Sequence, residues 1–208
     1  MCSIRVFGIR LINPIFGATL EMNKLPSNFT FKPPVESQRE LIHEWLTQDY
    51  ISEWIHGQGL QNTLTGLERV FQYQADGIEL DRKTKITQHW IGYDGERPFV
   101  YLLTSNVFKN TQSEYAKYCE IEGLAITLDI FICEPDYLGK GLAVEIIRQF
   151  LLKHFSDVSE VFIDPEKANQ RAFHVYQKAG FHVVGEFIAA WHPVPHYIMK
   201  LNMKDLLK

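Results

Sequence analysis

The chain has 208 residues, 46% of them hydrophobic, which suits one domain with a substantial core or one domain with an embellishment. Its 25 acidic and 21 basic residues give a formal net charge of −4. The chain as a whole therefore lacks the basic footprint of a nucleic-acid binder, while local acidic clusters would favour a cationic substrate.

Cys2, Cys119 and Cys133 are odd in number and far apart, and no Cys-x-x-Cys occurs, which argues against a disulfide framework or a zinc ribbon. Cys133 reads as a small apolar packing residue. No run reaches the ~18 apolar residues of a membrane span. Arg5 and Arg10 precede an apolar stretch, but Asn13 and Pro14 break it, and no small-x-small cleavage pattern follows before Glu21. Residues 1–24 are read as an N-terminal extension forming an extra strand or hairpin, residues 25–208 as the main domain, and the protein as cytoplasmic.

Phe29-Thr30-Phe31-Lys32 alternates like a short strand, and Pro33-Pro34 ends it. Ser37 with Glu40 predicts a capping box opening a helix that carries Leu41, Ile42, Trp45 and Leu46 on one face. Residues 51–55 predict a second short helix, ended by Gly57 and Gly59. Leu64, Leu67, Val70 and Phe71 define a third amphipathic segment. Strands are expected over 87–93 and 98–107, with Asp94-Gly95-Glu96-Arg97 as a hairpin signal between them. A polar connection over 108–123 carries Glu114, Glu120 and Glu122.

An apolar run then predicts a buried strand over 124–132, followed by a helix over 141–155, a strand over 159–163 and a helix over 168–179 closed by Gly180. Strands over 181–190 and 196–202 complete the chain, with Pro193 and Pro195 marking the turn between them. Two βα units imply parallel neighbours and the hairpins imply antiparallel ones, so a mixed α/β sheet is expected.

Leu138-Gly139-Lys140-Gly141-Leu142-Ala143 lies where the 124–132 strand feeds a helix. Two glycines at such a junction let backbone N–H groups face outward at a helix N-terminus, a ready site for a pyrophosphate. The spacing excludes a P-loop, which needs an earlier glycine and a Ser or Thr after Gly-Lys. It also fails the dinucleotide fingerprint, whose third small position is Val144 here. A tight turn without a ligand reads equally well from these residues alone.

Asp129 interrupts the apolar strand, where a carboxylate is disfavoured and an unpaired buried charge is expensive. By alternation it shares a face with Thr127 and Phe131, opposite Leu128 and Ile130. His192-Pro193-Val194-Pro195-His196 invites a metal reading, but its histidines are not a helical pair and no third ligand stands nearby in sequence, so no metal is expected there.

A second stretch, Asp164-Pro165-Glu166-Lys167-Ala168-Asn169-Gln170-Arg171-Ala172-Phe173-His174-Val175-Tyr176-Gln177-Lys178-Ala179-Gly180-Phe181, follows a short strand. Together with the glycine turn, in order and distance, it resembles the acyl-CoA-binding half of the GNAT-type N-acetyltransferases. Within that family it resembles the aminoglycoside 6'-N-acetyltransferases and the related siderophore-biosynthesis acyltransferases. The aminoglycoside resemblance extends to Glu44-Trp45-Leu46, Glu53-Trp54 and Leu128-Asp129, and covers roughly residues 29–202.

The resemblance implies a central mixed β-sheet flanked by helices, acetyl-CoA as co-substrate, no metal, and direct transfer of acetyl to a primary amine of a small cationic acceptor. It implies that the backbone of Leu138, Gly139, Lys140, Gly141, Leu142 and Ala143 holds the pyrophosphate, Leu138 standing where many members carry Arg or Gln. Lys140 reads equally as a phosphate contact or a solvated side chain. The backbone of Ile130, Phe131 and Ile132 would polarise the thioester carbonyl. Asn169 would contact the pantetheine arm, against a plain role at the helix start, and Ala172 would let the cofactor approach closely. Tyr176 would protonate the departing thiolate, whose pKa is near ~8.5 on the cysteine scale. Asp129 would anchor or deprotonate the acceptor ammonium, which cannot attack at its ordinary pKa near ~10. Trp54, Glu120 and Glu122 would contribute to acceptor binding, and Trp45 would pack. The expected partners are acetyl-CoA and a small amine, with no nucleic acid and no membrane, in a monomer or homodimer. A hydroxylamine-type siderophore precursor, a protein amine and a non-catalytic CoA-binding module remain as alternatives.

Overall fold

The computed structural model describes residues 28–79, 86–108, 113–120, 123–189 and 192–206. The 1–24 extension lies outside the described residues.

Strand β1 (Thr30–Lys32) is short because Pro33-Pro34 removes its donors. Helix α1 (Arg39–Leu46) begins one residue later than the Ser37 cap predicts. A 3₁₀ turn over Glu36–Gln38 leads into it, and Gln38 does the work assigned to the Ser37/Glu40 box. The Val35 N–H donates to Gln38 Oε1 at 3.1 Å, and the Gln38 N–H returns to the Val35 carbonyl at 2.9 Å. Helix α2 (Asp49–Ser52) is a single turn. Gly57 was expected to end it but opens α3 (Gly57–Ala75), with φ +52° where the chain swings out of extended His56. The three helices bury Ile42, Trp45, Leu46, Ile51, Leu67 and Phe71 against Ile91, Tyr101 and Leu103 of the sheet.

Strands β2 (Gln88–Asp94) and β3 (Arg97–Val107) form the expected hairpin, with Asp94 opposite Arg97 and Gly95 at φ +61°. Then follow β4 (Leu124–Ile132), α4 (Ala143–His154), β5 (Val158–Ile163), α5 (Gln170–Lys178), β6 (His182–Ala189), β7 (His192–Asn202) and α6 (Met203–Leu206). The sheet order is β1-β2-β3-β4-β5-β7-β6. Among the described residues, only β4 and β5 are parallel neighbours. The second βα unit does not give another parallel pair, because the β6–β7 hairpin folds back and inserts β7, antiparallel, beside β5.

The second core lies on the opposite face. Ile146, Ile147, Phe150 and Leu151 of α4 pack with Phe99, Leu102, Leu128 and Val161. Each such side chain contributes roughly 1.5–3 kcal/mol by leaving water. Lys200, 1% exposed, is the deeply buried cation of the sheet. It meets Glu160 at 3.3 Å and Glu120 at 3.0 Å, and donates to the Tyr118 carbonyl at 3.2 Å. That cluster pins the segment before β4 onto the sheet. An opening in the sheet lies where β4 and β5 part. The β4–β5 pairing runs from Leu124↔Val158 only to Thr127↔Phe162, and beyond it the strands part while β4 continues beside β3 alone. Ligands in open α/β sheets bind outside such carboxyl ends of strands.

Candidate active site

A cavity of about 870 Å³ fills the parting between β4 and β5. Its walls come from α2 and α3 at one end, from β4 and the segments after β5 in the middle, and from the turn into α4 at the other. Asp129 stands on β4 two residues past the last β4–β5 pair, and Asp164 stands two residues past that pair, just beyond the end of β5. The register therefore sets the two carboxyls level across the gap. Burial raises both above the ordinary carboxylate range, and the charge of Asp129 raises Asp164 further. Tyr115, from the segment pinned by Lys200, hydrogen-bonds Asp164 and opposes part of that rise. Burial, then the two carboxylates, raise Tyr176 well above an ordinary phenol, so it stays protonated across the working pH range.

The glycine turn forms the far end. Gly139 and Gly141 have φ of +73° and +72°, and a β-carbon on either would meet nothing within 4 Å. Backbone conformation, not crowding, is what demands glycine there. Leu142 occupies the N-cap of α4, and no side chain caps that helix. Its first-turn N–H groups thus lack intrahelical partners, and Gly141, Leu142 and Ala143 line the cavity.

Most residues singled out in the sequence converge on this cavity: Trp54, Asp129, Ile130, Phe131, Ile132, Leu138, Gly139, Gly141, Leu142, Ala143, Asn169, Ala172 and Tyr176 all line it. Asn169 also caps α5, its Oδ1 accepting from the Ala172 N–H at 3.0 Å, so its simple helix-start role is present beside any ligand role. Two of the described residues are not brought in. Lys140 lies outside the lining, its ammonium 5.8 Å from the Tyr137 ring centre. Glu120 is spent on Lys200. Glu122 lies outside the described residues. Trp45 packs as expected, 1% exposed, with Nε1 donating to Glu134 at 3.0 Å. Cys133 is fully buried among apolar side chains.

Sequence reasoning missed Asp164 and Tyr115. The available signal for Asp164 was a carboxylate at the carboxyl end of an apolar strand, the same signal that picked out Asp129. Tyr115 gave none, because a tyrosine in a polar connection has no periodicity to betray it. The 192–196 region also differs from expectation. Pro193 and Pro195 do not form the turn. They lie within β7, where Ile188 pairs with Pro195 but Ala189 pairs with His192, so residues 193 and 194 bulge out of the ladder. The third side chain that sequence spacing lacked comes from another segment: Glu166 has a ligand atom within 4.8 Å of those of His192 and His196.

Residues 35–189 match the family model for the acetyltransferase (GNAT) domain. The crystal structure of an aminoglycoside N(6')acetyltransferase from Legionella pneumophila subsp. pneumophila str. Philadelphia 1 is 48% identical, with a TM-score of 0.72, covering 86% of this chain and 94% of that one. The aminoglycoside N(6')-acetyltransferase type 1 of Klebsiella pneumoniae is 25% identical over 161 residues, 73% of each chain. A structure of AAC(6')-Ib in complex with paromomycin and acetyl-CoA is 21% identical with a TM-score of 0.65, covering 88% of this chain and 97% of that one, a likeness of fold. With the domain matched over most of its length and a relative at 48% identity, the chain belongs to the acetyltransferase (GNAT) family and is a GNAT-type N-acetyltransferase.

Proposed function

We propose that the protein transfers acetyl from acetyl-CoA directly to a primary amine of a small polycationic acceptor of the aminoglycoside class. The observation that carries this reading is the level pair Asp129 and Asp164 at the β4–β5 parting, inside a cavity that also reaches the uncapped start of α4. Two clustered carboxylates suit a substrate bearing several ammonium groups. The 48% identity to a protein named for aminoglycoside N(6') acetylation supports the same acceptor class, and the complex of AAC(6')-Ib with acetyl-CoA supports the donor.

In this reading, the N–H groups of residues 139–143 bind the pyrophosphate through their backbone, so Leu138 in place of Arg or Gln loses one contact and no cradle. Beyond Thr127, the edge of β4 facing β5 is free of strand pairing, and N–H groups among Ile130, Phe131 and Ile132 polarise the thioester carbonyl. Asp129 receives the acceptor ammonium and takes its proton as nitrogen attacks the carbonyl carbon. The C–N bond forms, the C–S bond breaks, Tyr176 gives its proton to the thiolate, and the second proton that nitrogen sheds as the amide forms restores the Tyr176 hydroxyl. No covalent enzyme intermediate is needed, and holding both substrates in one cavity supplies much of the rate. Asp164, held by Tyr115, keeps a second carboxylate beside the reacting amine. Trp54 covers the acceptor end, with Ala172 and Asn169 along the pantetheine arm.

The test is an acetyl-CoA consumption screen across aminoglycosides, polyamines, hydroxylamines and peptides with the purified full chain. Aminoglycosides should turn over best. Turnover confined to hydroxylamines or to peptides would overturn the acceptor, and CoA binding without turnover on any amine would overturn catalysis.

A further inference from the structure

The bulge in β7 builds something the acetyl transfer does not use. On a straight strand His192 and His196 would stand about 13 Å apart at ~3.3 Å per residue. The bulge at residues 193 and 194 folds the strand, so their ring centres are 5.7 Å apart. Glu166 is set directly across from His196 by an antiparallel bridge, with the Lys167 N–H donating to the Pro195 carbonyl at 2.8 Å and the Tyr197 N–H to the Pro165 carbonyl at 3.0 Å. One ligand atom from each of Glu166, His192 and His196 then lies within 4.8 Å of the others.

We propose that Glu166, His192 and His196 form a binding site for a single zinc-class divalent cation at the acceptor end of the cavity. Two imidazoles and one carboxylate with a fourth position open is a recurrent zinc donor set. Ligand atoms on a tetrahedral ion with bonds of ~2.1 Å stand about 3.4 Å apart, so no pair here needs to close by more than about 1.4 Å on binding. His192 Nε2 and Glu166 Oε1 are already 2.8 Å apart. The His196 Nδ1 lies 2.8 Å from the Val194 carbonyl. Donation of Nδ1–H to that carbonyl leaves the Nε2 lone pair for the metal, the arrangement that orients ligating histidines generally. His56 packs edge-on against His192 at 4.8 Å between ring centres. All four residues line the cavity that holds Asp129. The ion is a ligand of this chain and not a participant in acetyl transfer. Its two positive charges at the acceptor end would weaken binding of a cationic amine while leaving acetyl-CoA binding alone, a consequence that rests on the acceptor reading above. Metal binding itself does not.

The experiment titrates chelator-stripped full-length protein with Zn²⁺ against a chromophoric competitor, and repeats it with Mg²⁺ and Co²⁺. The expected result is one Zn²⁺ per chain, no Mg²⁺, and visible Co²⁺ d–d bands without a thiolate charge-transfer band. Glu166→Gln should weaken Zn²⁺ at least tenfold, and the His192→Ala/His196→Ala double variant should lose it. Absence of Zn²⁺ binding by the wild type overturns the proposal. So does a thiolate band, or unweakened Zn²⁺ binding in Glu166→Gln, a near-isosteric change that keeps the test open if the double variant does not fold. None of these readouts depends on turnover, so a failed acceptor assignment and a failed metal site are distinguishable.

Discussion

The two ends of the cavity are built on different principles. The turn over residues 138–143 works through its backbone: two left-handed glycines and an uncapped helix start. The carboxylate centre works through side chains drawn from three separate segments, Asp129 on β4, Asp164 after β5 and Tyr115 before β4, and holds only because the strands part after Thr127 and Phe162. A backbone site tolerates side-chain change and fails on backbone change. A side-chain site fails when one atom is replaced without altering the fold.

The largest expected effect is at the carboxylate centre. Asp129→Asn should lower kcat/KM for the amine about 10³-fold, within the usual range for a general base, with KM for acetyl-CoA unchanged in steady-state kinetics. Tyr176→Phe should lower kcat by roughly 10–100-fold with little change in either KM, since it removes a proton donor from a buried site and little else. At the turn, Gly141→Ala places a β-carbon in the left-handed region at about 1–2 kcal/mol. If that strain falls on the bound conformation, KM for acetyl-CoA should rise about 5–30-fold while kcat changes little. Lys140→Ala should change KM for acetyl-CoA by less than about threefold, because its ammonium lies over Tyr137 outside the cavity lining.

The comparison also has a stability side. Asp164 has a raised pKa, so the folded state holds its proton to higher pH than the unfolded state does. Stability from that group is present below the ordinary carboxylate pKa and is lost as pH rises through the raised value. Asp164→Asn should therefore match wild type in thermal unfolding near pH 4 and exceed it near pH 8, while acceptor binding weakens. Equal Tm differences at both pH values would contradict the buried, repelled carboxylate.

How much of this was legible in the sequence follows the same division. The strand over 124–132 and the glycine turn were readable because each rests on local rules: an unbroken apolar run, and glycines between a strand and an amphipathic helix. Asp129 was readable because a carboxylate in such a run demands a partner. Its partner was not, because Asp164 becomes level with Asp129 only through a parallel register that ends after four pairs. Tyr115 depends on a buried Lys200 some 80 residues away that fixes its segment, a tertiary cause with no local trace. The β7 bulge was misread as a turn because prolines signal both, and only the pairing with β6 tells them apart. Glu120 looked like acceptor-site charge by composition and is committed to Lys200 by the fold.

The most direct measurement is kcat/KM for the best amine acceptor across pH 5–9, in wild type and Asp129→Asn. The wild-type profile should fall on the acid side with an apparent pKa above the ordinary carboxylate range, reported for the Asp129–Asp164 pair as a unit. The variant should lose that limb together with about 10³-fold of rate. A variant that keeps wild-type turnover and the same acid limb would contradict the account.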